Sequence, residues 1–167
     1  MSNWGNFYAQ RINSTYQDYF NTRYDAFLRL VEELSNEKGI FELGCGIGSV
    51  SKALNLPFKG VDISTEMVRL ANENTNSNNF YTKSIFDVEF EKGLTYVSHG
   101  VLEHFKDEDI VKITNKFAQS IHYVPLDKYK TPSFGDERLL PYEYWLELVN
   151  PVAYKLFNDN HDLLFIL

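Results

Sequence analysis

The stretch Gly39-Ile40-Phe41-Glu42-Leu43-Gly44-Cys45-Gly46-Ile47-Gly48 decides how this chain is read. Its first half is a short apolar run carrying one acid, the pattern of a buried strand. Three glycines then fall at alternate positions, Gly44, Gly46 and Gly48. Glycine has no Cβ, so it enters positive φ without strain and lets a ligand approach the backbone closely. A strand that runs through such a turn into a helix places backbone N–H groups beside bound ligand atoms. In the dinucleotide fingerprint a third glycine or alanine comes three residues after the second. Here Ser49 holds that place, and the third glycine comes one residue early.

Working outward, the region from Phe7 to Leu34 reads as one or two helices, with Phe27, Leu30, Val31 and Leu34 spaced as an apolar stripe. Ile40–Leu43 is the first strand, 49–54 start a helix, and Phe58–Val61 is a second strand ending at Asp62. Ser64 is placed to cap a helix running to about Asn72. The five asparagines of Asn72–Asn79 read as a polar loop. Phe80–Ile85 and Leu94–Ser98 are strands three and four, and Asp107 is placed to cap a helix carrying Ile110, Ile113 and Phe117. Ser120–Val124 is strand five, stopped by Pro125, and a long loop runs to Leu140. Pro141 then opens a helix with Tyr142, Trp145, Leu148 and Val149 inward. Val152–Phe157 and Leu163–Leu167 flank the turn Asn158-Asp159-Asn160 as a closing hairpin. Strands alternating with helices imply a parallel sheet wound by right-handed crossovers.

Composition bounds the function. The chain has 167 residues, 44% of them hydrophobic, which suits one folded domain. No apolar run approaches the ~20 residues needed to cross a bilayer, and the start lacks a signal-peptide pattern, so a cytoplasmic protein off the membrane is expected. The single cysteine, Cys45, allows no internal disulfide, and no cluster has metal-ligand spacing, so no metal is expected. A net charge of −7 without a basic tract argues against strong binding to nucleic-acid phosphates.

The glycine spacing, with Glu42 two residues before the first glycine, resembles motif I of the class I S-adenosylmethionine-dependent methyltransferases. The run Ser98-His99-Gly100-Val101-Leu102-Glu103-His104-Phe105 resembles the motif after strand four in members acting on small molecules. A hairpin closing a parallel sheet resembles their seven-stranded core, whose last strand inserts antiparallel. The resemblance spans Lys38 to Leu167. It implies an α/β, Rossmann-like, doubly wound seven-stranded sheet with helices on both faces. Residues 1–37 would then be a helical lid on a core of 38–167, in a single domain.

In an open parallel sheet, ligands bind beyond the carboxyl ends of the strands, where strand order reverses. The resemblance assigns the cofactor S-adenosylmethionine to the loop of Glu42, Gly44, Cys45, Gly46 and Gly48, and to Asp62, eighteen residues after Gly44. A carboxylate there can accept from both ribose hydroxyls, and it serves equally as a helix cap. Ile63 and Met67 would sandwich the adenine, unless Met67 fills the core. At the third strand end the family often has Gly-Asp; here Lys83-Ser84-Ile85 occupies the place, and either Ser84 with the Ile85 backbone or Asp87 reads the adenine edge. Ser98 would lie near the methionine part. Tyr8 or Arg11 of the lid would hold the methionine carboxylate, and Tyr16, Tyr19 and Phe134 would line the acceptor pocket. His104 and His99 are the candidate acid–base residues, since histidine ordinarily titrates at about pH 6.5; each reads equally as a residue that orients its loop, while His122, inside an apolar strand, reads as structural. Arg138 pairs with a neighbouring acid or serves the loop that carries Asp136 and Glu137.

The expected activity is methyl transfer to a small-molecule acceptor by a monomer or homodimer. Two alternatives stay open: a non-catalytic S-adenosylmethionine-binding module or regulatory subunit, and an NAD-dependent oxidoreductase.

Overall fold

The structure, a computed structural model, describes residues 8–117, 119–133 and 135–167. Seven strands form one sheet: β1 (Ile40–Leu43), β2 (Phe58–Asp62), β3 (Phe80–Thr82), β4 (Thr95–His99), β5 (Ser120–Pro125), β6 (Ala153–Phe157) and β7 (Asp162–Ile166). Their order is β3-β2-β1-β4-β5-β7-β6. The β1 strand pairs in parallel with β2 and β4, and β2 with β3, whereas β7 is antiparallel to both β5 and β6. The mostly parallel, Rossmann-like sheet with an inserted antiparallel last strand is thus present. Strand order reverses between β1 and β4, the switch point of the fold.

By density of internal contacts the chain divides into two compact units, residues 1–97 and 98–167, with the break inside β4. The helices before β1 are tied into the first unit by Gln17, whose Nε2 donates to the Ser49 carbonyl at 3.0 Å.

In the first unit, helix α1 (Ser14–Arg23) starts at Asn13, whose side chain accepts from Tyr16 N at 2.8 Å. Helix α2 (Asp25–Leu34) buries Phe27, Leu28 and Val31. Leu34, expected on that stripe, is 50% exposed, because the helix ends there and Ser35 is already extended. After β1 come α3 (Ser49–Ala53), β2 and α4 (Thr65–Thr75), whose N-cap Ser64 accepts from Met67 N. The asparagine-rich segment is not a loop throughout: the helix continues to Thr75, Asn76 ends it with φ 51°, and the Asn72 side chain bonds both N and O of Phe80. Asparagine tolerates the left-handed conformation and pairs with backbone, which suits it to this sharp return. Strand β3 is shorter than expected, because Ser84 caps a 3₁₀ turn over Ile85–Asp87.

In the second unit, all six residues of β5 are buried. The β6–β7 hairpin turns on Asn158, Asp159 and Asn160, each at positive φ. Buried Asp162 accepts from the hydroxyls of Tyr123 and Tyr129, both at 2.9 Å. Helix α5 (Asp107–Lys116) has Lys106, not Asp107, at its N-cap; the Asp107 carboxylate is taken instead by Arg138 and the Tyr144 hydroxyl. In α6 (Tyr142–Val149) only Trp145 is fully buried, and Pro141 is the cap rather than the first helical residue.

Gly39, which opens the deciding stretch, has φ +84°, and a Cβ there would lie 1.9 Å from the Pro57 carbonyl oxygen. That oxygen accepts from Ile40 N and so starts the β1–β2 ladder. Gly39→Ala is expected to cost about 3 kcal/mol or more in urea unfolding, combining backbone strain with steric overlap. A loss below about 1 kcal/mol would mean that this wall yields.

Candidate functional site

The glycine loop folds as its spacing requires. Gly44, Gly46 and Gly48 have φ of 70°, 51° and 71°. Cys45 N donates to the Val61 carbonyl at 2.8 Å, which ties the loop to β2. At the end of β2, Asp62 closes it: Oδ2 accepts from Gly46 N at 3.0 Å and Oδ1 from Ser64 N at 2.9 Å. Burial raises the Asp62 carboxyl above its usual range, and the N–H donors of Ser64 and Gly46 partly offset this. Each oxygen keeps a lone pair beyond the one used, and the residue is only half-buried.

Glu42 is 3% exposed, and its carboxylate accepts from Ser51 N, pinning β1 to the first turn of α3. Burial pushes it up to about 7, against the pull of the Ser51 bonds. Its side chain therefore holds the loop from behind. Cys45 packs its side chain into a core of Val68, Ala71 and Phe80, and burial raises the thiol far above its usual value. Any contribution of Cys45 to a ligand is through its backbone. Met67, expected against the adenine, is 3% exposed and packs with Ile47 and Leu70 beneath Tyr8, Ile12 and Tyr16. Ile63, its expected companion, is 80% exposed beside Asp62. The helix α4 turns Met67 inward, in keeping with the core-filling alternative.

The N-terminal segment lies on this assembly. The Arg11 guanidinium sits 5.7 Å from the Tyr8 ring centre. Tyr16 is half-buried and its phenol is raised by desolvation, while Tyr19 is exposed. Lys83 N donates to the Asp62 carbonyl at 2.9 Å, which ties the turn after β3 to the same strand end. In that turn the Ser84 hydroxyl accepts from Phe86 N at 3.3 Å, and Ile85 is buried. Gln17 and Ile12 were missed in the sequence; a glutamine at mid-helix carries no signal of its long-range bond to Ser49.

The second unit holds the histidine-bearing turn. Ser98 is buried and its hydroxyl pairs with His122 Nδ1 at 2.7 Å. His99 stacks on Tyr123 at 4.2 Å between ring centres, and desolvation lowers it to about 3, so it is a weak base at neutral pH. His122 is lowered likewise, in keeping with its structural reading. His104 Nδ1 pairs with Asp136 Oδ1 at 2.9 Å. Arg138 clamps the long loop onto this turn: its N–H donates to the Glu103 carbonyl at 3.0 Å, and its guanidinium to the Phe105 carbonyl at 2.6 Å and Asp107 at 2.7 Å. Glu103, unnoticed within its motif, is 1% exposed and pushed up to about 8 by burial. Phe134, an expected acceptor contact, lies outside the described residues. Among the described residues, no helix is long and apolar enough to cross a membrane.

A family model described as "Methyltransferase domain" matches residues 40–122, from β1 through the turn after β4 into β5. No curated protein matches the chain by sequence. Among solved structures, the PH0226 protein of Pyrococcus horikoshii OT3 superposes with a TM-score of 0.72 at 16% identity, over 93% of this chain and 92% of that one. The magnesium protoporphyrin IX methyltransferase of Synechocystis PCC 6803, solved with bound SAH, gives 0.70 at 16% identity, over 98% and 94%. A candidate O-methyltransferase of Nostoc punctiforme PCC 73102 gives 0.68 at 13% identity over 87% of this chain, which spans only 56% of that protein. Residues 40–122 thus match a methyltransferase domain, and the chain shares the fold of these solved methyltransferases, which gives the oxidoreductase alternative no support.

The buried Glu42 carboxyl yields a pH prediction. Its folded pKa, about 7, lies above the ordinary value of 4.5. Its contribution to stability is therefore full below about 4.5 and is lost as pH rises through about 7. Glu42→Gln mimics the protonated acid, so the variant should gain on the parent by about 2.5 kcal/mol between pH 5 and 8 in urea unfolding. A pH-independent difference would show that the acid is ionised without penalty.

Proposed function

We propose that this chain transfers the methyl group of S-adenosylmethionine to a small-molecule acceptor. The observation that carries this reading is the glycine loop closed by Asp62, since the same carboxylate that accepts from Gly46 and Ser64 has lone pairs left for a ribose diol. Ile63, exposed next to it, offers the adenine an apolar face. Ser84 and the Ile85 N–H are suited to the adenine edge. Tyr8 and Arg11 are suited to the methionine carboxylate, the arginine as a charged fork. Glu42 and Met67 act from behind, by shaping the loop.

Methyl transfer is an in-line displacement. A lone pair of the acceptor forms a bond to the methyl carbon while the carbon–sulfur bond breaks, and that pair stays on sulfur. The sulfonium is already an activated leaving group, so alignment is the main task, worth roughly 7–11 kcal/mol when complete. An oxygen or nitrogen acceptor also sheds a proton. We assign that step to His104, oriented by Asp136, rather than to His99. A small acceptor fits the net charge of −7 and the acids Asp136 and Glu137, which would repel a phosphate backbone. Tyr16 and Tyr19 are the aromatic groups we assign to acceptor contact.

Calorimetric titration with S-adenosylmethionine should show one site, and Asp62→Ala should weaken it by about 10- to 100-fold, or about 1.4–2.7 kcal/mol. Urea unfolding of the variant separates loss of contact from loss of fold. Absence of heat at millimolar cofactor with the parent chain would overturn the reading.

A further inference from the structure

We propose that Glu103, His104 and Glu137 form a binding site for one divalent first-row transition-metal ion. One ligand atom from each, a ring nitrogen and two carboxylate oxygens, lies within 4.8 Å of the others. Opposite ligands across an ion with bonds of about 2.1 Å stand about 4.2 Å apart, so small torsional changes close the site.

The independent sign of a ligand is Glu103. It is 1% exposed, and among the described residues its Oε2 has no hydrogen-bond partner. A buried carboxylate is costly unless a cation compensates it. The Arg138 guanidinium is committed to Asp107 and the Phe105 carbonyl. The same clamp delivers Glu137 to the turn. Its carboxylate is held by the Ser133 N–H at 2.8 Å and hydroxyl at 2.7 Å, which orient it and leave lone pairs for a metal. His104 pairs through Nδ1 with Asp136, the carboxylate–histidine arrangement that orients a metal-binding imidazole. One imidazole with two carboxylates favours manganese, iron(II) or zinc over calcium, which takes an all-oxygen set. Ion binding does not depend on the methyl-transfer reading, whereas its use in the reaction does. An ion held there would take the place of His104 in lowering the proton affinity of an acceptor hydroxyl.

The test is calorimetric titration of the chelator-treated chain with Mn²⁺ and, separately, Zn²⁺. The parent should bind one equivalent. Glu103→Gln should lose saturable binding, Glu137→Gln should weaken it at least 10-fold, and Asp136→Asn should weaken it by about 10- to 100-fold. Urea unfolding and a parallel S-adenosylmethionine titration of each variant show that it is folded. No saturable uptake by the parent, or parental affinity in both glutamine variants, would overturn the proposal.

Discussion

The carboxylate of Asp62 is the contact on which the first unit depends. It accepts from Gly46 N in the loop after β1 and from Ser64 N at the head of α4. A single side chain therefore joins the loop after β1 to the connection between β2 and α4. Without it, a loop with three glycines at positive φ would be poorly determined, because glycine has more conformational freedom to lose than any other residue. Glu42 does the same from the opposite side through Ser51. The two acids hold the loop between them, and both are raised by burial. The cost of burying them is the cost of a preformed backbone site.

The second unit uses a cation for the same purpose. Arg138 grips the turn after β4 by its carbonyls and the start of α5 by Asp107. A planar guanidinium with several fixed donors can satisfy backbone and carboxylate together, where a lysine could not. The result sets Asp136 and Glu137 beside His104 and Glu103. The acids that compete for charge compensation there are two from one loop and one from a 3₁₀ turn some thirty residues earlier in the chain.

Much of the architecture was legible because it is written in short-range patterns. Apolar runs, the alternate glycines, Ser64 before a helix and the Asn158-Asp159-Asn160 turn all act through local backbone preferences. Where local pattern and structure part, the cause is the same. Asn72, Asp107 and Met67 each look like one thing locally and are claimed by a distant partner: the Phe80 backbone, Arg138 and Tyr144, and the Ile47–Leu70 cluster.

From the sequence alone came the succession of strands and helices along the chain, the glycine loop, the acid at the end of β2 and the resemblance these carry, because each depends on residues within a few positions of one another. Only the tertiary structure decided that Glu103 is buried, that His99 is a weak base, that Ser98 serves His122, and that Glu137 meets His104. Those properties arise from desolvation and from contacts across more than twenty residues of chain, and no local pattern of side chains encodes them.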